Sequence, residues 1–164
     1  MLVVLALFLF LQKDIPTLEG RAVRISDGDS FTLLTAGNKN FRIRIQGIDA
    51  PEKGQDYYQA SKSALGQWLQ NKTISCQVLG KDRYGRTIAV VSVDGGRDIG
   101  LEMVKSGLAW HFTRYSSDST LAAAETKARA QALGLWKMKN PTPPWIYRKT
   151  KQQLRKKDTA GLLP

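Results

Sequence analysis

Residues 40–52 read NFRIRIQGIDAPE, and this stretch decides the fold. Phe41, Ile43 and Ile45 alternate with Arg42, Arg44 and Gln46, the two-residue period of a strand with one face in a core. Arg44 therefore stands off the main apolar row, where a ligand-facing residue belongs. Pro51 ends the strand, because its ring fixes φ and removes a backbone donor, and it stiffens the link between Asp49 and Glu52.

Working outward, residues 20–25 and 30–35 read as strands, with Asp27-Gly28-Asp29 between them and a hairpin turn at residues 36–39. A helix is predicted over residues 58–70, with Ala60, Ala64, Leu65, Trp68 and Leu69 as its apolar stripe. Residues 72–79 and 87–93 form a strand pair around the connection at 82–86. Asp98 caps a helix that stops at Gly107, and a last helix over 120–133 ends at Gly134, with Trp136 packed behind it. Short strands followed by helices describe a small barrel with appended helices, an α+β and mainly β fold.

Three charge clusters sit on this frame: Asp27-Gly28-Asp29, Arg44 through Glu52, and Asp82-Arg83-Tyr84-Gly85-Arg86. Each alone has a plain reading, since Asp-Gly-Asp is most often a solvated turn. Together they supply what phosphodiester hydrolysis needs: a hard cation, an activated water and positive charge on the phosphate. Asp29 and Asp49 can hold the cation, Glu52 can take the water's proton, and Arg44 and Arg86 can clamp the phosphate through their planar forks. Asp27 is near enough to orient water around the cation.

These motifs, Asp-Gly-Asp, Arg-x4-Asp-x-Pro-Glu and Asp-x-Tyr-Gly-Arg, resemble those of the staphylococcal nuclease family. The resemblance runs from about residue 18 to residue 136 and includes the helical ending at 128–136. It implies a five-stranded OB-fold barrel with three α-helices, and a calcium-dependent nuclease indifferent to sugar type, acting on DNA and RNA. By matching motif, Asp29, Asp49 and the Ala50 backbone carbonyl are the Ca2+ ligands, Glu52 is the general base, and Arg44 and Arg86 are the phosphate clamps. Arg83 and Tyr84 match positions that contact a nucleotide phosphate. Of two aromatic positions that flank the base, Tyr115 is kept and Thr113 stands at the other, with His111 and Phe112 as neighbouring candidates. The resemblance further implies cleavage of the bond to the 5′ oxygen, leaving 3′-phosphates. A preference for single strands and a monomeric state complete the expectation. The rival readings are a non-catalytic OB-fold module that binds nucleic acid, and a membrane-anchored basic protein whose carboxylates balance surface charge. A degenerate module would be expected to lose a carboxylate or an arginine, and here the set is complete.

At 164 residues the chain is long enough for one well-buried domain plus appendages. Its net charge of +11 suits a polyanionic partner. Residues 137–157 hold eight Lys or Arg and no acid. With their prolines, residues 137–164 read as a basic, poorly structured tail, either solubilising or tethering nucleic acid. The single Cys76 excludes an internal disulfide and falls on the buried face of its strand. The single His111 argues against a histidine-ligated zinc site or a Ser-His triad. Residues 2–11 are an unbroken apolar run, too short for an ordinary bilayer span and suited to the core of a signal peptide. Residues 1–17 are thus expected to be a leader that directs export to the periplasm or medium. An uncleaved anchor in contact with the membrane and a buried peptide are the alternatives.

Overall fold

The computed structural model describes residues 15–160, with side chains described through residue 155. The expected leader therefore falls mostly outside the described residues. Among those described, no helix is long and apolar enough to cross a membrane.

Five strands close a barrel: β1 (Thr17–Ile25), β2 (Ser30–Thr35), β3 (Asn40–Ile45), β5 (Ile74–Lys81) and β6 (Thr87–Val93). They run β3-β2-β1-β5-β6, and a parallel pairing of β3 with β6 joins the two ends. Two-residue strands complete the β structure. β4 (Ile48–Asp49) pairs with β8 (Trp110–His111), and β7 (Arg97–Asp98) adds to the edge of β6. Closure removes the exposed edges that an open sheet would present. The alternation read in residues 40–45 holds: Ile43 and Ile45 are buried beside Phe31, Leu33, Ile74, Cys76 and Val91. β1 begins at Thr17, a few residues earlier than expected, and its first residues pair with β5.

The three expected helices are α1 (Tyr58–Leu69), α2 (Ile99–Lys105) and α3 (Ser119–Ala130). On α1 the buried stripe is Ser61, Leu65 and Leu69, while Ala60 is exposed. Ser61 takes the inward place because its hydroxyl donates to the Leu108 carbonyl at 2.8 Å. Asp98 caps α2 as expected, accepting from the Leu101 N–H at 2.9 Å. α3 is capped by Asp118, whose carboxylate accepts from the Thr120 N–H at 2.7 Å, and it stops at Ala130, short of the expected end. Gly134 instead opens a 3-10 turn (Gly134–Lys137). Gly107 and Gly134, both at positive φ, face each other so closely that a Cβ on either would strike the other segment's backbone. The Leu135 N–H donates to the Gly107 carbonyl at 2.9 Å, locking the end of α2 to the end of α3.

The basic tail departs from its reading, because Pro144–Ala160 forms a fourth helix, α4. Proline suits the first helical position, where its missing N–H has no intrahelical acceptor to lose. The Pro143 carbonyl accepts from the Ile146 and Tyr147 N–H groups, both at 3.0 Å. Trp145 then docks the first turn. It stacks on Phe112 (centroids 5.2 Å, planes 9° apart) and meets Trp110 edge-on at 5.7 Å. Trp110, Ala128, Leu135 and Trp136 make a small second core beneath it.

Candidate active site

The three charge clusters lie far apart in sequence and meet at one mouth of the barrel. Asp29 immediately precedes β2, and its carbonyl accepts from the Ile45 N–H at 2.9 Å, tying the β1–β2 loop to the end of β3. Gly28 lets the same loop pack closely against α1, since a Cβ there would collide with the Ser61 hydroxyl. Asp49 sits on β4, opposite Trp110 in the β4–β8 ribbon. Asp29 and Asp49 are 5% and 1% exposed, so both carboxylates are withdrawn from bulk water.

Arg44 bridges them. Its Nη2 lies 3.1 Å from Asp49 Oδ1 and 3.3 Å from Asp29 Oδ2, while Nη1 donates to the Ile45 carbonyl at 2.8 Å. Asp29 Oδ2 also accepts from the Ala50 N–H at 2.7 Å, and Oδ1 accepts from the Ser30 hydroxyl at 2.9 Å. Arg86 Nη1 donates to that same hydroxyl at 3.2 Å, and its Nε pairs with Asp82 at 2.7 Å. Ser30 thus links the third cluster to the first. Its position within β2, straight after Asp29, was the available signal in the sequence, though the motifs pass over it.

Asp27 sits beside Asp29, one of its oxygens accepting from the Asp29 N–H at 3.1 Å. Burial, and then the adjacent Asp29 carboxylate, push the Asp27 carboxyl up to about 7. Burial also raises Asp49, with Asp29 adding to the rise, and hydrogen bonds from Arg148 working against it. Carboxylates crowded together out of water in this way are poised to gain from a cation. All the donors are oxygens, which suits a hard divalent ion. Among the described residues no three His, Cys, Asp or Glu side chains gather as a metal cage. A divalent cation held at these two carboxylates would take most of its oxygen ligands from backbone, water and substrate.

Glu52 lies beyond Pro51 at the rim. Its N–H donates to Gln55 Oε1 at 2.8 Å, and the Gln55 N–H donates back to the Glu52 carbonyl at 2.8 Å. Gln55 also donates to the Thr142 carbonyl at 2.8 Å, so the loop is fastened to the segment before α4. Arg83 and Tyr84 project from the β5–β6 hairpin. Arg83 Nη2 donates to the Tyr84 hydroxyl at 2.7 Å, and Arg42 Nη2 holds the Tyr84 carbonyl at 2.6 Å. Tyr84 and Tyr115 are 59% and 62% exposed, open to a ligand. Tyr115 meets Phe112 edge-on at 4.9 Å, and its carbonyl accepts from Gln46 at 3.0 Å. His111 is buried and Phe112 is stacked on Trp145, so both are committed to packing. Neither therefore offers an open aromatic face beside Thr113.

A second residue here, besides Ser30, escaped the sequence reading. Arg148 of α4 reaches into the mouth, Nη2 to Asp49 Oδ2 at 2.8 Å and Nη1 to Asp49 Oδ1 at 3.1 Å. Nη1 also donates to Glu52 Oε1 at 2.6 Å. Burial alone would lower the basicity of this guanidinium, but its bonds to Asp49 and Glu52 outweigh that and raise it. In sequence nothing separated Arg148 from the other basic residues of its run.

A closed barrel with buried carboxylates and arginines converging at one mouth has the charge set that a phosphodiester-cleaving nuclease needs. A family model described as "Staphylococcal nuclease homologue" matches residues 42–138. The chain is 45% identical over 129 residues to an "Uncharacterized endonuclease" of Haemophilus influenzae, covering 79% of this chain and 72% of that protein. It is 38% identical over 134 residues to an "Uncharacterized endonuclease" of Escherichia coli, covering 82% and 87%. A "Micrococcal nuclease" of Shigella flexneri is 34% identical over 140 residues, covering 79% and 80%. The chain belongs to the staphylococcal nuclease family.

Proposed function

We propose that this protein is a calcium-dependent endonuclease that hydrolyses DNA and RNA with little regard for sugar or sequence, leaving 3′-phosphates. The observation that carries the reading is Arg44 joining Asp29 to Asp49, with Arg86 brought to Asp29 through Ser30. Sequence-distant carboxylates and arginines are not gathered at one barrel mouth by packing alone, since burying charge is costly unless it is compensated. Asp29, Asp49 and the Ala50 carbonyl would hold the cation, with Asp27 beside them. A bound calcium would supply positive charge at the phosphate and a fixed point for its oxygens.

Glu52 accepts the proton of the attacking water as its oxygen bonds to phosphorus. The bond from phosphorus to the 5′ oxygen breaks, and that oxygen leaves as a hydroxyl by taking a proton from solvent water, while Glu52 returns its own to solvent. Arg44 and Arg86 stabilise the charge that grows on the remaining phosphate oxygens, in a site withdrawn from water where such contacts count most. Arg83, Tyr84 and Tyr115 line the approach of the nucleotide. Because the chemical target is the backbone, discrimination rests on how easily a strand reaches the mouth, which favours single strands. The protein acts as a monomer, and the leader over residues 1–17 directs its export, which cell fractionation would test.

The decisive experiment incubates the purified chain with single-stranded DNA or RNA, with calcium or a calcium chelator, and analyses the product ends. Cleavage only with calcium, giving 3′-phosphates, is expected. Magnesium should support little turnover, since it demands tighter octahedral geometry and gives up water reluctantly. Full activity in chelator, with no metal retained by the protein, would overturn the mechanism.

A further inference from the structure

We propose that Arg148 is a built-in counter-cation of the active site, and that a divalent cation must displace it from Asp49 to bind. The inference rests on the reading that Asp29 and Asp49 hold a cation, and it adds a competitor for that place. Arg148 lies beyond the residues matched by the family model, which end at 138.

Its position is set by docking on two sides. Trp145, one helical turn earlier, stacks on Phe112 and meets Trp110, the residue paired with Asp49 across the β4–β8 ribbon. Residues three apart share a helix face, so a tryptophan seated on the ribbon delivers residue 148 to the carboxylate beside it. On the other side, Gln55 holds the Thr142 carbonyl and so fixes the segment before α4 against the loop that carries Glu52. The guanidinium then occupies both Asp49 oxygens and one Glu52 oxygen at once.

The two arginines on Asp49 differ in freedom. The Arg44 side chain is 12% exposed and is also anchored to Asp29 and the Ile45 carbonyl. The Arg148 side chain is 42% exposed and approaches from the open side. A divalent ion drawn to Asp49 from solvent meets Arg148 first. Two positive centres within contact distance repel strongly in a site partly shielded from water, and Arg148 is the one with room to leave. Charge balance favours the same exchange. Without a cation, Arg148 offsets the carboxylates that Arg44 alone cannot; with one, that need is gone.

The test is calorimetric titration of the full-length protein with calcium chloride at low ionic strength, free of nucleic acid, so that no activity is read. Arg148→Gln should bind calcium roughly tenfold more tightly than the wild type, the gain from removing one neighbouring positive charge. Arg148→Lys keeps the charge but loses the two-pronged grip, and should fall between the two. Lys151→Gln makes the same charge change one turn along the same helix. Lys151 lies over the Tyr147 ring at 5.6 Å, and its substitution should leave calcium affinity near the wild-type value. Calcium binding by Arg148→Gln that is unchanged or weaker overturns the competition and leaves the cation reading standing. An equal gain in Lys151→Gln also overturns it, since general charge would then explain the effect. Calcium bound by neither the wild type nor Arg148→Gln overturns both.

Discussion

The barrel mouth and helix α4 both place an arginine on Asp49, by opposite routes. Arg44 arrives through the alternation of a strand, five residues from its partner, and its neighbours Ile43 and Ile45 fix its direction by being buried. Arg148 arrives across 99 residues, on a helix whose seat depends on Trp145 finding Phe112 and Trp110. The first arrangement is local and cannot be undone without unmaking the barrel. The second is a docking event, and docking can be reversed at a cost far below that of unfolding. Chemistry is therefore expected from the barrel, and control of access from the helix.

The sharpest way to break that division is to remove the chemistry while leaving the aromatic seat of α4 at Trp145 intact. Glu52→Gln, or Arg86→Ala, should lower turnover on single-stranded DNA by roughly 100-fold or more. Circular dichroism and the melting temperature should stay close to wild type, because neither side chain belongs to the apolar core. Arg44→Lys should also lose activity, since a point charge cannot replace its planar fork. Near-normal turnover by Glu52→Gln in a saturating-substrate assay would remove Glu52 as general base.

The same contrast explains what could be read from sequence. The barrel was legible because strand alternation is local: Phe41 to Ile45 declare one face, and the turns at Asp27-Gly28-Asp29 and 36–39 bound the strands. The charge clusters were legible because their motifs lie within such turns and strand ends. Ser30 was not, because its link to Arg86 exists only once β2 and the β5–β6 hairpin meet. The end of α3 was misplaced because Gly134 looks like a helix terminator, yet its small size serves a close approach to Gly107. The tail was read as poorly structured because composition weighs charge against hydrophobicity over a whole segment. That average hides Trp145, whose docking on two aromatic rings is a tertiary event.

Next in size is the docking itself. Trp145→Ala removes a stacked and an edge-on ring contact from a half-buried position. A loss of about 2 kcal/mol in the undocking of α4, followed by tryptophan fluorescence at low urea, is expected, below the usual cost of truncating a fully buried aromatic. Turnover on a short oligonucleotide at saturating calcium and substrate should be largely retained. If turnover fell as far as in Glu52→Gln, α4 would be part of the catalytic machinery and the proposed division would fail.

A smaller effect measures whether α4 also touches nucleic acid. Lys149 and Lys151 are exposed on the helix. If their charges neutralise phosphates of a long strand, replacing each with Gln should reduce the logarithmic salt slope of binding by about 0.7. Binding of a dinucleotide should not change, because such a ligand spans too little of the surface. An unaltered slope in the double variant would leave α4 with docking and Arg148 alone.

The smallest expected effect is no change, and it tests whether the barrel stands without the helix. Cys76 lies on β5, opposite Val91 of β6 and Leu18 of β1, and is fully buried. Burial pushes its thiol up to about 12, so almost no thiolate exists at pH 8, and the thiolate is the reactive form. A disulfide-exchange reagent should therefore leave the native protein unmodified over hours and react only when the barrel opens. Its reaction rate at low reagent reports the population of open barrel. The test compares wild type with Trp145→Ala under native conditions. If Trp145 holds only α4 in place, undocking exposes the mouth while β5 and β6 stay paired, and the Cys76 rate should scarcely move. A rate that rises in step with the stability lost would mean that the barrel opens whenever α4 lets go. The helix would then be a structural member of the fold, and reversible docking could not be its way of controlling the site.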